Sequence, residues 1–282
     1  MRAEQFTDVV TFHGEGAVWF AGLKCVDMFA GDVLSIGADG SVDRMPTGST
    51  IAAVVRPRVS GGMVIVTERE FTLWDAAGRL EWTSEPHLPD DGLVRFNEGG
   101  CDPLGRLLCG SMTYSMAPHT GSMYRLDAAR RTSLVFGGTT ISNGLGFTAD
   151  GSRMYYADTP TGRIDVFDVG LDAELSGRRP FVSIPEESGR PDGLCVDAEG
   201  GVWVALYGGS AVHHYDSSGT LADVVELPVT NITSCTLGGD DLSTLFVTTT
   251  RENVAEGAEP LAGALFRADV GVRGLPVLPY AG

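Results

Sequence analysis

The sequence predicts an all-β chain folded as a six-bladed β-propeller of four-stranded blades. Three observations carry this. Glycine is abundant, with 38 residues in 282, and short runs of valine, threonine and aromatics lie between Asp, Gly and Ser turns, which is the composition of strands and tight turns. No long stretch has helical periodicity. A two-part unit recurs about every 45 residues, a spacing that fits propeller blades.

The first part of the unit is a hydrophobic hairpin with a polar turn. Phe147–Ala157 is its clearest copy, with the turn at Asp150-Gly151. Residues 196–205, 101–110 and 237–247 repeat it, and residues 17–27 and 53–67 are weaker copies. The second part reads as strand, polar turn, strand. It begins at Gly31, Phe71, Gly121, Gly162, Ala211 and Gly263. Six such units place the whole chain, residues 1–282, in one propeller domain. A ring must close, because an open edge strand templates aggregation. A spare strand around Val9–Phe12 is expected to close it in the last blade, beside a strand near Val277–Tyr280. Residues 111–120 and 250–262 read as the longest connections, where function often resides.

Composition narrows the function. A net charge of −17 repels phosphate backbones, so nucleic acid is not an expected partner. No apolar run approaches the ~18 residues of a membrane span, and MRAEQFTDVV lacks the basic-then-apolar pattern of a secretory leader. A cytoplasmic location is the expectation. The five cysteines, Cys25, Cys101, Cys109, Cys195 and Cys235, form no C-x-x-C pair, so they read as buried packing residues rather than thiolate ligands. The histidines show no i,i+4 pairing. There is no G-x-S-x-G elbow and no phosphate-binding glycine loop.

The residues that could carry chemistry stand just ahead of the hairpins. Glu15 in Gly14-Glu15-Gly16, Asn143 in Ser142-Asn143-Gly144 and Asp192 in Pro191-Asp192-Gly193 occupy matching positions in repeats one, four and five. Asn97 holds a similar, slightly offset position in repeat three. Asn-Gly and Asp-Gly pairs are ordinarily turns, but the hairpin turns are already accounted for at Asp150-Gly151 and Glu199-Gly200. In a ring, equivalent positions on different blades converge on the axis. Two carboxylates meeting there repel unless a cation intervenes. Oxygen donors without thiolate favour Ca²⁺, Mg²⁺ or Mn²⁺, with Zn²⁺ or Fe²⁺ also compatible. Arg95, two residues before Asn97, shares its face in an extended segment.

These stretches, together with Arg95-Phe96-Asn97, Thr233-Ser234-Cys235, Gly238-Gly239 and the ending Pro279-Tyr280-Ala281-Gly282, resemble the SMP-30/gluconolactonase/luciferin-regenerating family along essentially the whole chain. The resemblance implies a six-bladed propeller with one divalent cation held by Glu15, Asn143 and Asp192. It also implies substrate contact through Arg95 and Asn97, and hydrolysis of a small-molecule sugar lactone. Some members carry an acidic residue on the loop after the third hairpin. Here that loop reads Ser111-Met112-Thr113-Tyr114-Ser115-Met116, which opens the way to a less hydroxylated lactone. In this reading Asp192 doubles as general base. Hydrolysis of another ester or a phosphotriester, or a non-catalytic binding propeller, are the alternatives, since a fold by itself does not give function.

Overall fold

A computed structural model describes residues 1–89 and 91–282. After β1 (Glu4–Val9), the first blade is β2 (Gly14–Trp19), β3 (Leu23–Asp27), β4 (Asp32–Ile36) and β5 (Val42–Pro46). The second is β6 (Ala52–Pro57), β7 (Met63–Thr67), β8 (Phe71–Trp74) and β9 (Leu80–Thr83). The third is β10 (Val94–Cys101), β11 (Leu107–Thr113), β12 (Gly121–Leu126) and β13 (Thr132–Thr139). The fourth is β14 (Ser142–Phe147), β15 (Arg153–Asp158), β16 (Arg163–Val169) and β17 (Leu175–Ser183). The fifth is β18 (Arg190–Val196), β19 (Val202–Tyr207), β20 (Ala211–Tyr215) and β21 (Leu221–Glu226). The sixth joins β22 (Ile232–Gly238), β23 (Thr244–Thr249) and β24 (Ala264–Asp269) to β1. All strand pairs within the blades are antiparallel, and the six-bladed propeller expected from the repeats is the fold.

Burial follows the distance from the axis. The inner strands β2, β6, β10, β14, β18 and β22 are almost wholly buried and touch their neighbours around the ring. The outer strands β5, β9, β13, β17 and β21 are largely exposed. Apolar side chains fill the wedges between blades, with Phe71, Phe96, Tyr155, Trp203 and Phe266 among the largest fully buried.

Ring closure follows the expected principle with different partners. The closing strand is Glu4–Val9, not Val9–Phe12, and it pairs with Ala264–Asp269. Residues 277–280 form no strand in the last blade. With β1 in place the sixth sheet already has its four strands. The tail instead leaves blade six and docks on blades two and three: the Tyr280 amide donates to the Pro57 carbonyl at 2.8 Å and its hydroxyl to the Asp127 carbonyl at 2.7 Å. The Tyr280 side chain is fully buried, and that burial offsets the cost of ordering the tail. The loops also differ in detail from expectation. Ser111–Thr113 belong to β11 rather than to the connection, whereas 250–263 is a long connection between strands. Among the described residues, no helix is long and apolar enough to cross a membrane.

Candidate metal centre

A shared irregularity positions the site. Each inner strand carries one extra residue relative to its partner near its N-terminal end, between Glu15 and Val18, Ala52 and Val54, Phe96 and Gly99, Ser142 and Leu145, Pro191 and Leu194, and Ile232 and Ser234. Such bulges bend a strand and re-aim its side chains. Here they turn polar groups to the axis at one mouth of the channel. Asn97, Asn143 and Asp192 occupy the same place in their bulges, without the offset that linear spacing implied for Asn97, whereas Glu15 stands one place earlier, paired opposite Val26, and not at the matching position expected of it.

Two local features make this arrangement possible. Gly16 has φ +58°, a left-handed backbone that glycine adopts freely, and its amide donates to Glu15 Oε2 at 3.0 Å. At Gly144 a β-carbon would lie 2.5 Å from the Leu194 nitrogen. Only a glycine lets blades four and five approach this closely at the axis.

The expected residues are brought together. Glu15, Asn97, Asn143, Asp192 and Arg95 all line one cavity of about 260 Å³, and all five are buried. Carboxylate oxygens of Glu15 and Asp192 lie within 4.8 Å of each other and of a third, from Glu98. A chain of hydrogen bonds holds the amides: Arg95 Nη1 donates to Asn97 Oδ1 at 2.5 Å, Asn97 Nδ2 to Asn143 Oδ1 at 2.8 Å, and Asn143 Nδ2 to Thr159 Oγ1 at 2.6 Å. The Thr159 hydroxyl donates to the Pro191 carbonyl at 2.8 Å, next to Asp192.

The electrostatics follow from burial. Asp192 is held well above the ordinary carboxylate range by desolvation and by repulsion from Glu15, Glu98 and Glu252, partly relieved by Arg95. Glu15 is raised by desolvation and by Glu98. Glu98 is pushed up to about 7 by desolvation, against the pull of Arg56. Asp192 Oδ1 and Glu98 Oε2 are buried without a hydrogen-bond partner. Among the described residues neither carboxylate forms an ion pair with Arg or Lys. Three converging carboxylates with orphaned oxygens fit a hard divalent cation, which would favour their charged forms.

Three further side chains were not found by reading the sequence. Glu98 replaces the glycine that follows the equivalent residue in repeats four and five, and that substitution was the available signal. His13 sits with its Nε2 3.8 Å from Glu15 Oε1 and its Nδ1 2.8 Å from Thr250 Oγ1. Burial, then Arg95, lowers its pKa to about 3, so it is neutral at physiological pH. Glu252 comes from the long 250–263 connection and lines the cavity, its backbone carbonyl held by the Asn231 side-chain amide at 3.0 Å. The 111–116 segment contributes Met112 and Met116 to the wall. Tyr114 instead donates to Glu68 at 2.6 Å.

Comparison with known proteins gives a consistent result. Residues 13–251 match the model of the SMP-30/gluconolactonase/LRE-like region. Regucalcin of Sus scrofa is 35% identical over 290 residues, spanning 95% of both chains. The solved calcium-binding protein regucalcin of Agrobacterium tumefaciens strain C58 superposes with a TM-score of 0.91 at 25% identity, over 99% of this chain and 97% of that one. A luciferin-regenerating enzyme structure gives a TM-score of 0.87 at 26% identity, over 96% of each chain. With its matching ring, its axial carboxylates and its similarity along the whole chain, this protein belongs to the SMP-30/gluconolactonase/LRE-like family.

Proposed function

We propose that this chain is a divalent-metal-dependent lactonase acting on a sugar lactone or a related cyclic ester. The observation that carries the reading is the convergence of Glu15, Glu98 and Asp192 on one axis, beneath a cavity whose wall also carries Arg95 and Asn97. The family description, which includes gluconolactonases, supports the reaction class. Glu15, Asn143 and Asp192 would hold the ion, with Glu98 as an added negative charge close by. Calcium suits this oxygen-donor set, and a solved relative is described as calcium-binding. When bound, the ion supplies Lewis acidity that polarises the lactone carbonyl and stabilises the negative charge developing on its oxygen.

The protein's own groups do the rest. Asp192 accepts the proton of the attacking water as general base. The water oxygen bonds to the carbonyl carbon, the ring C–O bond breaks, and the proton passes to the departing ring oxygen, giving the open hydroxy acid. Arg95 and Asn97 orient the substrate's carbonyl and hydroxyl groups, and fixing that geometry lowers the entropic part of the barrier. Arg95 is itself fixed, its guanidinium lying 5.6 Å from the centre of the Phe29 ring and 5.7 Å from that of Tyr114. Met112, Met116 and Ile141 make part of the wall apolar, which favours a lactone with fewer hydroxyls on that side. Glu252 is the carboxylate available to the remaining hydroxyls.

The test is a panel of aldonolactones and less hydroxylated lactones, followed by acid release, with elemental analysis of the purified protein. One divalent ion per chain and chelator-sensitive hydrolysis restored by added cation are expected. Undiminished hydrolysis by metal-free protein would reject the mechanism.

A further inference from the structure

The inner strands frame a second cavity, of about 320 Å³, at the opposite end of the channel. The first site is built from the N-terminal starts of these strands. This one is lined by their C-terminal ends, including Trp19, Phe147 and Leu237, and by the chain's tail at residues 275–278. It opens beside the half-exposed Thr148 and the exposed Ala149 and Pro276.

Most of the lining side chains are apolar, Thr148 and Thr236 add hydroxyls, and one residue brings a charge. Arg56 is only 9% exposed, and among the described residues it has no carboxylate within ion-pair distance. Its Nη1 donates to the Val55 carbonyl at 2.7 Å and its Nη2 to the Gly99 carbonyl at 2.6 Å. Among the described residues its Nε has no hydrogen-bond partner. Gly100 leaves that edge uncovered: a β-carbon there would stand 3.8 Å from Arg56 Nε and 3.1 Å from Leu145 Cδ1. Glu98 attracts it from beyond ion-pair distance, but burial opposes the charge of both groups, and a guanidinium taken out of water with so little compensation is costly. A carboxylate would offset that cost through charge-assisted hydrogen bonds. The apolar walls would accept a hydrocarbon body and reject a hydroxylated one, whose polar groups would lose their partners on entry.

We propose that the lower cavity is a second ligand site, taking a monocarboxylate with a short apolar body whose charged head pairs with Arg56. It shares no lining residue with the cavity of Glu15 and Asp192, and its ligand differs in kind from a sugar lactone.

Titration calorimetry on the intact chain tests this with octanoate, benzoate, octan-1-ol and gluconate. Octanoate or benzoate is expected to bind once per chain, at least about tenfold more tightly than octan-1-ol, the margin of one charge-assisted contact. The tighter of the two acids tells an aliphatic from an aromatic source. Gluconate is expected not to bind here. Arg56→Met should erase the preference for acid over alcohol. Cys195→Trp, which fills the cavity from its β18 wall, should abolish binding of both and leave lactone hydrolysis intact.

Should either variant misfold by circular dichroism, the wild-type protein still decides. Cys195 is the one cysteine that is not fully buried, and it lines this cavity. Its alkylation by iodoacetamide, read by mass spectrometry, should slow in octanoate and not in gluconate. Equal affinity for octanoate and octan-1-ol, unslowed alkylation, or competition between octanoate and the lactone substrate would each overturn the proposal.

Discussion

Asn97 on blade three donates its side-chain amide to Asn143 Oδ1 on blade four at 2.8 Å. Two residues 46 positions apart in the chain thus set each other's orientation across a blade boundary. The same amide of Asn97 also donates to the Ser142 carbonyl at 2.9 Å, and Asn143 donates onward to Thr159. Asn143 therefore cannot rotate its oxygen away from the axis without breaking bonds on both sides.

Thr159 lines the cavity and is bonded to Asn143 and to the Pro191 carbonyl. Thr159→Val keeps its shape and removes both hydrogen bonds. Cation affinity is expected to fall about 10–100-fold, the usual effect of losing a group that orients a ligand, with a folded circular dichroism spectrum. Calcium titration calorimetry measures it. Unchanged affinity would mean that Asn143 needs no such support.

Asp192→Asn separates coordination from proton transfer, because the amide keeps an oxygen but cannot take a proton. Cation affinity should weaken without vanishing. Turnover at saturating cation should drop about 10²–10⁴-fold, the range for loss of a general base. A saturated variant that works at the wild-type rate would remove Asp192 from the chemistry.

The carboxylate cluster should give the cation-free protein an unusual pH profile. Glu98 is raised from 4.5 to about 7, and Glu15 and Asp192 are raised as well. A carboxyl group raised on folding binds its proton more tightly in the native state. Its stabilising contribution is therefore full below the unfolded pKa and is lost as pH rises through the folded one. Melting in chelator should fall between pH 4.5 and 7.5. Glu98→Gln should flatten that slope, and calcium at pH 7.5 should raise the melting temperature. A wild-type slope matched by the variant would show that Glu98 is not its source.

Ring closure depends on β1. Deleting residues 1–10 exposes the edge of β24 and removes the pairing of Glu4 and Gln5 with Arg267 and Phe266. The shortened chain should melt several degrees lower, as expected for loss of one or two kcal/mol in a chain this size, and should associate through the open edge. Size-exclusion chromatography and thermal melting decide this. A monomer with unchanged melting would show that three strands suffice in the sixth blade.

Amino-acid order alone determined the repeat, and with it the blade number and the equivalence of Asn143 and Asp192; Glu15 was placed level with them, one residue away from its position in the ladder. That much is local: strands, Asp-Gly turns and a period are written along the chain, and ring symmetry carries equivalent positions to a common axis. Arg95 and Asn97 were legible for the same reason, since alternate residues of a strand share a face. The tertiary structure alone decided the rest. Asn97 and Glu98 are consecutive, yet both reach the channel, because the bulge between Phe96 and Gly99 breaks the two-residue alternation that sequence reading relies on. His13 and Glu252 enter the site from segments far apart in the chain, joined where the ring closes. The tail near Val277–Tyr280 was expected to be a strand beside the closing one. Its place was decided by competition: β1 already fills the last ladder, and the greater gain lay in burying Tyr280 beneath blades two and three.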